Sequence, residues 1–111
     1  MAQIQPRISV DSVDGTTVIT FLGEKILDER EIQALEHSIL PIIHQAGHIR
    51  LILDFVNVKF LSSAVLGLLI RVSKNVYQKG GQLKICGINP KIYEIFKITR
   101  LDRVFDILPL S

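Results

Sequence analysis

The feature that most constrains this chain is a change of hydrophobic period in its middle. Ile49-Arg50-Leu51-Ile52-Leu53-Asp54-Phe55 is a short, mostly apolar run, the signature of a central strand covered on both faces. Beyond it the period becomes helical. Val65, Leu66, Leu69, Val72 and Val76 recur on one face, and Leu68 and Ile70 widen the stripe. Gly80-Gly81 stops that helix, and Gln82-Leu83-Lys84-Ile85-Cys86 alternates as a strand. A strand, a helix and a strand in direct succession form a crossover, which requires parallel neighbours and a right-handed connection.

The flanking segments complete the pattern. Ile8, Val10 and Val13 roughly alternate with polar residues, and Asp14-Gly15 marks a hairpin turn into the strand-like run Thr17 to Leu22. From Asp28 the period is helical again, with Ile32, Leu35, Ile39 and Ile43 on one face. Asp28 suits the cap of this helix, and Glu29 and Glu31 suit its positive end. Pro41 implies a kink or an early end. Asn89-Pro90 opens a third helix with Ile92, Ile95, Phe96 and Thr99 inward, and Asp102 to Leu108 forms a last strand or helical turn. The expected order is β-β-α-β-α-β-α. It describes an α/β fold with a mixed sheet of four or five strands and helices mainly on one face. With 111 residues, 1–111 is expected to be a single domain.

Composition narrows the function. Thirteen basic against 11 acidic side chains give a formal charge of +2, and no basic run stands out, which argues against a nucleic-acid partner. The single cysteine, Cys86, excludes an intramolecular disulfide and a cysteine-rich zinc site. The N-terminal MAQIQPRISVDS lacks the apolar core of a signal peptide, and no run approaches the ~20 apolar residues of a membrane span. The expected location is the cytoplasm, without membrane insertion.

The segment FLSSAVLGLL, Phe60 to Leu69, raises the functional question. Ser62 or Ser63 can serve as the N-cap of the second helix, its hydroxyl accepting a free backbone N–H, a bond worth about 1 kcal/mol. The sharper reading is a phosphorylation switch. A phosphate brings about −1.5 to −2 charges, and a helix N-terminus meets it with free N–H groups and the positive end of the dipole. The domain then carries the modification without unfolding. A partner surface built against a neutral hydroxyl meets a desolvated charge instead.

GTTVITFLG, LILDFVNVKFLSSAVLGLL, KGGQLKICGINP and IFKITRLDRVFDI together resemble a STAS domain of the anti-sigma factor antagonist type. The resemblance spans nearly the whole chain and is strongest from the strand ending in Asp54 to Leu66-Gly67. It implies a non-enzymatic regulatory module without cofactor. Its partner would be both serine kinase and anti-sigma factor, and a phosphatase would reverse the modification. The unmodified form binds that partner and releases the sigma factor.

The family's motif, approximately Asp-Ser-Ser/Thr-Gly-Leu-Gly, aligns through Leu66-Gly67 and puts its phosphorylated serine on Ser63, with Ser62 the second choice. Ser62 then stands for the family's acid, Ala64 for its second hydroxyl residue and Val65 for its first glycine. The first change removes a negative charge beside the target. The last adds a branched side chain where a partner's backbone approaches. The implied partner surface comprises Lys59, Phe60, Ser62, Ser63, Ala64, Val65, Leu66 and Gly67, with Asp28 added from a Gly-x-Leu-Asp-like segment. Asp54 is expected to support the preceding loop by accepting backbone hydrogen bonds.

Other residues point elsewhere less strongly. His37 and His44 are two helical turns apart and His48 follows in a loop, a spacing unsuited to a metal, so no metal site is expected. Cys86 reads as a small core residue. Ser63 lacks a Gly-x-Ser-x-Gly setting, and Gly80-Gly81 precedes a strand, the wrong context for a phosphate loop. Lys91, Lys97, Arg100 and Arg103 form a modest basic zone open to an acidic partner. Two alternatives stand beside the antagonist reading. One is an unphosphorylated STAS scaffold or transporter-regulatory subunit. The other is a small enzyme with an unrecognised site.

Overall fold

The computed structural model describes residues 7–108. The hairpin forms where Asp-Gly places it. β1 (Ile8–Val13) runs antiparallel to β2 (Thr16–Phe21), with Val13 opposite Thr16. Asp14 and Gly15 between them have φ of 52° and 79°, the left-handed pair that a two-residue turn requires.

β3 (Lys25–Ile26) leads into α1 (Glu29–Ala46), whose N-cap is Asp28, the side chain accepting from Arg30 N at 2.8 Å. The helix does not end at Pro41, contrary to one of the two outcomes expected there. It continues to Ala46 because Ile39 and Ile43, on either side of the proline, are fully buried and their packing offsets the lost backbone bond.

β4 (Arg50–Asp54), β5 (Phe60–Leu61), α2 (Ser63–Gln78), β6 (Gln82–Cys86) and α3 (Pro90–Ile98) follow. A 3-10 turn at Leu101–Arg103 then precedes β7 (Asp106–Ile107), so the last segment is a helical turn and a strand in succession. The main sheet has the order β1-β2-β4-β6-β7, parallel from β2 onward.

One core holds the layers together. Ile19, Phe21, Leu51, Leu53, Leu83 and Ile85 line one sheet face, and all are buried. Against them pack Leu35 and Ile39 of α1, Leu68, Leu69 and Val72 of α2, and Ile92 and Phe96 of α3. Among the described residues no helix covers the other face. Val18, Ile52 and Lys84 lie side by side there, only half-buried. β4 is therefore covered on one face, not two. Ile52 tolerates the open side because its in-register neighbours shield it laterally.

β3 and β5 form a second, two-stranded parallel sheet, with Lys25 opposite Phe60 and Ile26 opposite Leu61. No periodicity announces strands of two residues. This small sheet nevertheless sets the position of the serine pair.

Candidate functional site at the start of the second helix

The segment leading to the serines is fixed from both sides. The backbone N–H groups of Lys59 and Phe60 donate to Glu24 O at 2.7 and 3.0 Å, and Ser62 N donates to Ile26 O at 3.0 Å. Upstream, Asp54 Oδ1 accepts from Val56 N at 3.0 Å, the supporting role expected of it. Val58 N donates to Phe55 O, closing the turn. Asn89 ties this loop to α3: its Nδ2 donates to Val58 O at 3.2 Å while its Oδ1 caps Ile92 N at 2.9 Å. Gly87 makes the tight approach possible. Its φ is 73°, and a Cβ there would lie 2.5 Å from Asp54 Oδ1 and 2.8 Å from Val56 N.

The two serines receive opposite environments. Ser62 occupies the N-cap position with extended backbone, φ −89° and ψ 164°, but its side chain makes no capping bond. Its Oγ is buried and has no hydrogen-bond partner among the described residues. The capping bond expected of the pair is therefore absent; Ser62 holds the position through its backbone, its carbonyl accepting from Val65 N at 3.0 Å. Ser63 is the first residue of α2 and is exposed, as is Ala64. The first turn of α2 carries no acidic residue, so nothing there opposes an added negative charge.

The remaining expected residues divide by burial. Asp28, Lys59 and Phe60 are exposed, and Gly67 is half-buried. Val65 and Leu66 are buried at 1% and 9% exposure. Their side chains belong to the core, so the valine does not add bulk where a partner approaches, and neither residue presents a surface. The apolar face of α2 takes both inward.

The small sheet adds residues that sequence reasoning missed. Lys59 Nζ pairs with Glu24 at 3.4 Å, and Lys25 Nζ sits 5.8 Å from the centroid of the Phe60 ring. Leu27 stands about half exposed beside Asp28. Only the pairing of β3 with β5 brings these residues to Phe60, and two-residue strands leave no hydrophobic period from which to infer it.

The histidines lie apart from this surface. His44 Nε2 meets Asn75 Oδ1 at 2.9 Å, and His48 Nδ1 lies 3.4 Å from Gly80 O. Among the described residues no three His, Cys, Asp or Glu side chains group as metal ligands. Cys86 lies beside Asp54 at the end of β6; burial, then the carboxylate, push its thiol up to about 11.

Comparison with known proteins matches this arrangement to one family. The family model described as STAS domain matches residues 7–110. The anti-sigma-B factor antagonist of Bacillus subtilis is 25% identical over 101 residues, covering 91% of this chain and 89% of that one. An anti-sigma-factor antagonist (STAS) domain protein from Planctomyces limnophilus superposes with a TM-score of 0.84 at 22% identity, over 94% of this chain and 91% of that one. The anti-sigma factor antagonist SpoIIAA in its unphosphorylated form matches with a TM-score of 0.70 at 17% identity, over 94% and 89%. The phosphorylated form of SpoIIAA, a Bacillus cell fate determinant, matches at 0.71 and 17%, over 92% and 91%.

Proposed function

The chain belongs to the STAS domain family, and from that membership we propose that it is an anti-sigma factor antagonist switched at Ser63. With Ser63 unmodified it binds an anti-sigma factor that is also a serine kinase, and the sigma factor goes free. Phosphorylation of Ser63 by that partner weakens the complex, and a phosphatase restores it. The chain is a substrate of this cycle and not itself an enzyme, and it works in the cytoplasm. No helix among the described residues is long and apolar enough to cross a membrane.

The observation that carries this reading is the contrast between the serines. Ser63 is exposed at a helix start free of acidic side chains, whereas the Ser62 hydroxyl is buried. A kinase can reach the first and not the second. A phosphate on Ser63 gains the helix dipole and the free N–H groups of the first turn. The departures from the family's motif fit this reading. Val65 points into the core, and serine at position 62 avoids burying a carboxylate beside the phosphate. The relatives named as anti-sigma factor antagonists, and a structural neighbour solved both with and without phosphate, support it.

The test is binding to the purified anti-sigma factor of the native host. Ser63→Ala should retain wild-type affinity, and Ser63→Asp should weaken it by about tenfold or more, the cost of a desolvated charge in the interface. Equal affinity of the two variants would sink the charge switch.

A further inference from the structure

A strip of exposed apolar surface runs from the serine site along α3. Phe60 is 51% exposed, Ile95 36% and Ile98 78%. Phe60 forms the wall of a shallow groove completed by Lys59, Asn89, Pro90 and Lys91. Lys91, Ile95 and Ile98 stand at i, i+4 and i+7, so they share one flank of α3; of the four residues expected inward only Ile92 and Phe96 turn into the core, and Ile95 and Thr99 are exposed because that flank has no element packed against it among the described residues. Ile95 and Ile98 thus follow, on the same flank, the Lys91 that lines the groove.

Its border is mostly positive. Lys59 is neutralised by Glu24. Among the described residues neither Lys25 nor Lys91 has a carboxylate within ion-pair distance, and both border Phe60, Lys25 over its ring. Glu94 projects from α3 between Lys91 and Lys97, and among the described residues Lys97, Arg100 and Arg103 likewise have no carboxylate within ion-pair distance, so positive charge borders the strip at both ends.

We infer that this strip docks a partner segment in which apolar side chains are flanked by carboxylates. The apolar residues cover Phe60, Ile95 and Ile98, and the carboxylates meet Lys25 and Lys91 at the groove end. Burial of the apolar surface supplies affinity, and the two lysines favour carboxylates and exclude basic segments. The inference extends the binding-module reading and rests on it. Its test uses neither the kinase nor a phosphate, so the two can fail separately.

The experiment titrates the 15N-labelled full chain with the synthetic peptide acetyl-DELFEDLE-amide and, in parallel, acetyl-KKLFKKLK-amide. Saturating NMR shifts at Phe60, Lys91, Ile95 and Ile98 are expected with the acidic peptide only, weakened by added salt. Lys91→Glu should lower that affinity by roughly tenfold, since an attraction becomes a repulsion. Phe60→Ala should abolish the shifts at Lys91 in a protein whose spectrum remains folded. Absence of saturation, equal response to the lysine peptide, or shifts confined to the open sheet face would overturn the inference. So would the chain binding phosphatidylglycerol vesicles through the strip in preference to the peptide.

Discussion

The backbone N–H of Ser62 donates to the carbonyl of Ile26 at 3.0 Å, and that bond sets the orientation of both serines. It holds position 62 against the small sheet, where its hydroxyl is buried, and leaves position 63 as the first exposed residue of the helix.

The Ser62 hydroxyl is a cost to the fold. A buried, unpartnered polar group costs about 1–3 kcal/mol, and no capping bond is lost when it is removed. Ser62→Ala should leave the midpoint of thermal unfolding unchanged or raise it. A loss of about 1 kcal/mol, the usual result of removing a capping serine, would show that the hydroxyl does cap the helix.

Asn89 should behave in the opposite way. It caps Ile92 N and also holds Val58 O, so one side chain secures the α3 start and the loop before the serines. Asn89→Ala should cost about 1–2 kcal/mol in urea unfolding. It should also speed amide hydrogen exchange at Val58 and Lys59. A loss of stability without faster exchange there would mean that the loop is held by its bonds to Glu24 and Phe55 alone.

Much of this was legible in the residues and some was not. Asp14-Gly15 marked the hairpin because few other pairs accept two positive φ angles. Asp28 and Asn89-Pro90 marked helix starts because their side chains bond the first free N–H groups. Pro41 misled because local propensity says nothing of what Ile39 and Ile43 gain from burial. Helices mainly on one face were expected, but the cover read for both faces of β4 was wrong because Ile52 is as apolar as Leu51 and Leu53, although only they are buried. Ser63 was singled out through a motif, but the inward turn of Val65 and Leu66 and the arrival of Lys25 beside Phe60 depend on tertiary contacts.

Cys86 gives a pH prediction. Burial and the neighbouring Asp54 raise its thiol from the ordinary 9.0 to about 11. Between those values the native chain holds a proton that the unfolded chain has lost. Its contribution to stability is full below pH 9 and disappears as pH rises through about 11. Alkylation of the native protein by iodoacetamide should therefore remain slow at pH 9 and accelerate toward pH 11. Asp54→Asn should shift that profile to lower pH by removing the carboxylate, while burial keeps it above the ordinary value. A native profile centred near 9 would contradict the placement of Cys86 beside Asp54.

The central claim is that Ser63, and not Ser62, is the switch. The most direct measurement is phosphopeptide mapping of the protein isolated from its native host across growth and stress conditions. Phosphate is expected at Ser63, its occupancy rising and falling with condition, and none at Ser62, whose hydroxyl is buried. Absence of phosphate from Ser63 under every condition, with full coverage of the peptide, would contradict the claim, as would phosphate at Ser62 alone.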